Sequence, residues 1–172
     1  NLDSHKLQWH KDQVDAWLAG ERIAPITIDC ALTRACTYNC EYCYAKLQNN
    51  DVKKMTEKVI FDFLDDAKEI GVKAVSLVSD GESTCSPHLV DTIRHGGQIG
   101  LDMALGTNGY LYNTIDILST LKYLTYLRFN ISAAEVNRYC TIHGVLNSHY
   151  YKAIENIATA VAAWASVYHT GI

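Results

Sequence analysis

With 172 residues, a net charge of -4, and 48% apolar against 20% charged residues, the chain is built like a folded protein. A chain of this size buries about 70% of its unfolded surface, enough for one domain with a core, and the composition excludes disorder. The acidic balance provides no basic field, so no nucleic-acid partner is expected. The longest apolar run, 157–167, is broken by Thr159 and Ser166 and is too short for a bilayer, and no basic-then-apolar leader opens the chain. A soluble, cytoplasmic protein with no membrane partner is therefore expected.

In chain order, residues 1–25 read as an N-terminal helix (roughly 5–19) and a lead-in. Residues 26–172 read as one core, without repeats, low-complexity tracts or a Pro/Gly-rich linker. Residues 26–32 alternate apolar with polar or small side chains, the period of a first strand, with Cys30 facing inward as a small buried hydrophobe. After it come Cys36, Cys40 and Cys43, a Cys-x3-Cys-x2-Cys loop that accounts for three of the six cysteines. Three soft thiolates on one loop suit iron-sulfur chemistry, because an odd ligand count leaves one iron of a cube open to an outside ligand. The competing reading is a zinc site completed by a distant histidine, but none of the seven histidines sits in a second paired knuckle. In a chain this long the cluster of thiols favours a metal and a reducing compartment over a disulfide framework.

The spacing, its place after the first strand, and Tyr42 before the last cysteine resemble the radical S-adenosylmethionine (SAM) superfamily. The resemblance implies that Cys36, Cys40 and Cys43 hold a [4Fe-4S] cluster whose fourth iron takes SAM. Reductive cleavage would then yield a 5′-deoxyadenosyl radical that abstracts hydrogen from a substrate.

Residues 56–70 form an amphipathic helix with Val59, Ile60, Phe63, Leu64, Ala67 and Ile70 on one face, Thr56 as N-cap and Gly71 past its end. Residues 72–79 read as a buried strand, and Ser86-Pro87 as the cap and first turn of a helix that stops near Gly96-Gly97. A strand over 102–107, a helix over 113–122, a strand over 126–132, a helix over 150–164 and the start of a fifth strand over 166–172 complete the pattern. Such βα alternation makes a parallel sheet, curled toward a barrel or open and doubly wound.

Ligands of such sheets bind at the carboxyl ends of the strands. There the chain places Asp80-Gly81-Glu82, which resembles the family's Gly-Gly-Glu motif for the amino group of SAM, with Asp80 in place of the first glycine. Thr107-Asn108-Gly109 resembles the family's Thr-Asn-Gly segment. Asn130 and Ser132 match the strand whose polar groups reach ribose and carboxylate, and Ile142 the position beside adenine. Taken as isolated turns these loops are merely solvated. Cys85 and Cys140 read as structural thiols, with hydrogen return to a substrate radical or an auxiliary cluster as the functional alternative. His143 reads as a satisfied loop residue or as an acid or base near adenine.

The resemblance implies an α/β fold, a partial (β/α) TIM-like barrel incomplete at its C-terminal end, with four βα units and part of a fifth. It also implies a small-molecule or peptide substrate and an external reductant such as flavodoxin or ferredoxin. An iron-sulfur electron-transfer or regulatory domain that does not cleave SAM is the alternative.

Overall fold

The computed structural model describes residues 6–47, 54–78 and 80–168. A 3-10 turn at Lys6–His10 leads into α1 (Lys11–Leu18), which buries none of its residues. The core then runs β1 (Thr27–Asp29), α2 (Glu57–Glu69), β2 (Ala74–Leu77), α3 (Leu89–Gln98), β3 (Asp102–Thr107), α4 (Thr114–Thr120), β4 (Leu124–Phe129), α5 (Val136–His143) and α6 (Asn147–Tyr168).

All neighbouring strands are parallel, in the order β1-β2-β3-β4. A doubly wound sheet reverses strand order at a switch point, whereas sequential order is that of a barrel arc. The choice that periodicity left open is thereby made in favour of the partial barrel. Val75, Leu77, Met103 and Leu105 point from β2 and β3 into one core with Ile60 and Leu64 of α2, Ile93 of α3 and Ile117 of α4.

Thr56 caps α2 as expected, its side chain accepting from Val59 N, and Asn113 caps α4 by accepting from Ile115 N and Asp116 N. On α2, Ile60, Leu64 and Ala67 are buried while Val59, and Ile70 at its C-cap, are exposed, so the apolar stripe is wider than the face it buries.

Four boundaries differ from expectation. β1 is only three residues long, although Cys30 N still donates to Ser76 O, because Leu32 and Thr33 pair instead with the segment before α2: Leu32 O accepts from Met55 N and Thr33 forms an antiparallel bridge with Lys54. α3 starts at Leu89, not at Pro87: Ser86 instead closes a turn, its Oγ accepting from His88 N and its carbonyl from Leu89 N. β4 ends at Phe129, so Asn130 and Ser132 lie in the loop beyond it. The fifth strand over 166–172 is not formed at its start, because α6 continues to Tyr168; 169–172 lie outside the described residues, as do His5 and Ser79. α5 was not anticipated. Its ends are set by Glu135, whose carboxylate accepts from Asn137 N and Arg138 N, and by Gly144, whose left-handed backbone (φ 60°) terminates it.

Candidate active site

The loop after β1 is held from two sides. From the β2 end, Glu82 N donates to Ala35 O, and Gly81 lies flat against the loop in a left-handed conformation (φ 71°). A Cβ on Gly81 would collide with the Thr33 carbonyl and stand 2.8 Å from Arg34 Cα, so only glycine permits this approach. From the other side, the last carbonyls of α5 accept from the loop: Ile142 O from Glu41 N (2.8 Å) and His143 O from Asn39 N (3.0 Å). The unsatisfied carbonyls of a helix C-terminus thus find their partners in the cysteine loop.

Cys36, Cys40 and Cys43 all line one cavity of about 300 Å³ at the carboxyl ends of the strands. Glu82, Thr107, Asn108 and Asn130 line it too. A larger cavity of about 510 Å³ lies at the other end, between the start of β3 at Asp102 and that of β4 at Leu124. Barrel folds do not place chemistry there. Among the described residues no three His, Cys, Asp or Glu side chains converge on the space of a single metal ion. A cube of four irons takes its thiolates at separate corners, so thiols spread around one cavity suit a cluster.

Glu82 is the hub of the strand ends. It is buried (5% exposed), with Oε1 accepting from Thr84 N (3.1 Å), Thr84 Oγ1 (2.8 Å) and Thr107 Oγ1 (2.7 Å), and Oε2 accepting from Asn108 N (2.8 Å). Oε2 retains acceptor capacity for a further donor. Asn108 Nδ2 in turn donates to Thr37 Oγ1 (3.2 Å), which ties the β3 end back to the cysteine loop. Tyr42 bridges to the β4 end, its hydroxyl accepting from Asn130 Nδ2 (2.9 Å) and sharing a hydrogen bond with Ser132 Oγ (2.9 Å). The loops after β1, β2, β3 and β4 are therefore one hydrogen-bonded assembly.

Burial pushes the Cys36 thiol up to about 11, opposed by a hydrogen bond from the Tyr38 backbone and reinforced by the charge of Glu82 and the thiols of Cys85 and Cys40. Burial also raises Cys40, against a lowering hydrogen bond from Tyr42. Thiolates at these positions therefore need positive charge in the cavity, which a bound metal centre provides.

Of the residues singled out from sequence, Cys36, Cys40, Cys43, Tyr42, Gly81, Glu82, Thr107, Asn108 and Asn130 line the cavity. Ser132 joins through Tyr42. Ile142 is buried in α5 and reaches the loop by its carbonyl, without lining the cavity. Cys85 receives a backbone hydrogen bond from Thr37, and burial raises its thiol. Cys140 is not among the residues lining the cavity, and its thiol donates to Asn147 Oδ1 (3.3 Å). Sequence reasoning missed Thr37, Arg128 (a cavity cation on β4) and the contact of His143 with Cys40. Thr37 sits between two motif cysteines and was legible as a polar loop hydroxyl, whereas the other two depend on tertiary placement.

The profile of the Radical SAM superfamily matches residues 31–171. The chain belongs to the radical SAM superfamily. Its members are enzymes whose cofactors are a [4Fe-4S] cluster and SAM, and the three thiols and the cavity beside them fit that pair. The chain is 30% identical over 115 residues to an AdoMet-dependent heme synthase of Methanosarcina barkeri, an alignment spanning 66% of this chain and 32% of that protein. In fold it is similar to Streptococcus suis SuiB bound to S-adenosylmethionine (TM-score 0.66, 19% identity, 86% of this chain and 35% of that one). It is similar also to methylornithine synthase, PylB (TM-score 0.58, 16% identity, 94% and 50%). The chain thus spans about a third of the heme synthase and of SuiB.

Proposed function

We propose that this radical SAM core cleaves SAM reductively and starts hydrogen abstraction from a small molecule or a peptide. The observation that carries the reading is the convergence of Cys36, Cys40 and Cys43 with the Glu82 network on one cavity at the carboxyl ends of the strands. Cys36, Cys40 and Cys43 would hold the cluster, which when bound supplies the electron that breaks a carbon-sulfur bond of SAM to give a 5′-deoxyadenosyl radical. Glu82 Oε2 offers an anionic acceptor for the methionine ammonium, and Gly81 lets the loop after β2 close against the cysteine loop beside it. Thr107 and Asn108 hold that carboxylate in place. Asn130, Ser132 and Tyr42 present hydroxyl and amide groups suited to a ribose, and Ile142 braces the cysteine loop through its carbonyl, which accepts from Glu41 N. Arg128 provides a cation for the methionine carboxylate.

A peptide substrate is supported by the similarity to SuiB bound to precursor peptide SuiA (TM-score 0.65, 18% identity, 89% of this chain and 35% of that one). A small-molecule substrate is supported by the heme synthase relative. No described helix is long and apolar enough to cross a membrane. The reading includes an external flavodoxin or ferredoxin as reductant and a cytoplasmic location, where thiols stay reduced.

The test is anaerobic reconstitution of the full-length protein with iron and sulfide, then SAM and dithionite, with 5′-deoxyadenosine measured by chromatography. The expected result is ~4 iron per chain and 5′-deoxyadenosine formed only with reductant. A cluster that never cleaves SAM would make the protein an electron carrier or regulatory module, and tight zinc in its place would overturn the cluster reading altogether.

A further inference from the structure

His143 closes α5 and is 1% exposed. Its Nδ1 lies 3.0 Å from Cys40 Sγ, across 103 positions of sequence. Three tyrosines enclose the ring, with centroids 4.3 Å (Tyr139), 5.4 Å (Tyr38) and 6.0 Å (Tyr42) from it. Nε2 is buried with no hydrogen-bond partner. The backbone completes the clamp: the carbonyls of Ile142 and His143 hold the N–H groups of Glu41 and Asn39, the two neighbours of Cys40. One helix end thus fixes the backbone on both sides of a cysteine and aims one ring nitrogen at its sulfur.

We propose that His143 is a positioning residue that donates its Nδ1–H to the Cys40 thiolate and raises the reduction potential of the cluster bound there. This rests on the cysteine loop holding a cluster. A ligating cysteine is a thiolate and can only accept, so a 3.0 Å contact is attractive only if Nδ1 carries the proton. That tautomer leaves Nε2 as a bare lone pair against aromatic rings and avoids a buried N–H without an acceptor. Hydrogen bonds to cluster sulfurs withdraw electron density and favour the state with one more electron, which is how outer groups tune iron-sulfur potentials. The histidine is therefore an electronic device as well as a brace.

The geometry also says which substitutions preserve the bond. The amide nitrogen of asparagine takes the place of Nδ1, whereas that of glutamine takes the place of Nε2. Full-length wild type, His143→Phe, His143→Asn and His143→Gln are reconstituted anaerobically, their iron is counted, and the one-electron reduction of each cluster is titrated by electron paramagnetic resonance with dithionite. The Phe and Gln variants are expected to hold the cluster but shift its oxidised-to-reduced ratio about tenfold toward the oxidised form at a given potential, or ~59 mV. The Asn variant is expected to stay near wild type. Equal midpoints in wild type, Phe and Gln overturn the proposal while leaving the cluster reading intact. If Phe does not assemble a cluster, the Gln-against-Asn contrast decides in the same way. Wild-type protein that takes up no iron overturns the cluster reading itself.

Discussion

Glu82→Gln keeps the shape of the buried side chain and removes its charge and one of its acceptor oxygens. Oε1 accepts three hydrogen bonds and Oε2 one; the backbone donors Thr84 N and Asn108 N cannot reverse roles, whereas the two threonine hydroxyls can. In glutamine one of the two positions becomes an NH2. With the carbonyl toward the two threonines, the NH2 meets the Asn108 N–H head-on; flipped, it meets the Thr84 N–H head-on, although the two threonine hydroxyls can turn to accept. At least one charge-assisted bond is lost, worth roughly 1.5–3 kcal/mol, and the remaining three lose their ionic component. A net loss of about 3 kcal/mol follows, and at ~2–4 °C per kcal/mol for a domain of this size Tm falls by roughly 6–12 °C. Thermal unfolding of the cofactor-free protein, followed by far-UV circular dichroism under reducing conditions, reads this directly. A surface glutamate would shift stability by no more than about 0.5 kcal/mol. A Tm unchanged to within about 1 °C would therefore refute the hub assignment.

Ala in place of Cys36, Cys40 or Cys43 should each abolish cluster assembly, read as iron per chain after reconstitution, while the secondary structure stays native. Gly81→Ala forces a Cβ toward the Thr33 carbonyl at φ 71° and should cost about 2–4 kcal/mol, measured by urea unfolding; an unchanged midpoint would show that the loop yields. Glu135 is held below the usual carboxylate range by the backbone N–H groups of Asn137 and Arg138. A depressed carboxyl contributes stability above its unfolded pKa and loses it as pH falls through the folded one. Wild type should therefore exceed Glu135→Gln in Tm at about pH 6 and lose that advantage toward about pH 3. An advantage that is constant across this range would show that the cap does not act through charge.

Local signals were well legible in the chain. Thr56 and Asn113 announce α2 and α4 because a cap needs only the next two or three N–H groups. The cysteine triplet is legible for the same reason: its ligand spacing is set within one loop. α5 was not, since its eight residues carry no strong apolar period and its N-cap is a glutamate, a residue outside the usual capping set. Only Gly144 marks it.

The sequence by itself singled out groups that line one cavity in the fold: the thiols, Glu82, Thr107, Asn108 and the aromatic Tyr42. Tertiary structure decided how they act on one another. Strand order made the sheet a barrel arc, since that order depends on which strands pair and not on any local period. The Glu82 bonds to Thr107 and Asn108 span 25 and 26 positions, and the His143 bond to Cys40 spans 103. Helix and strand periods act over a few residues, so no pattern within one loop foretells a contact made when two distant loops meet above the same sheet.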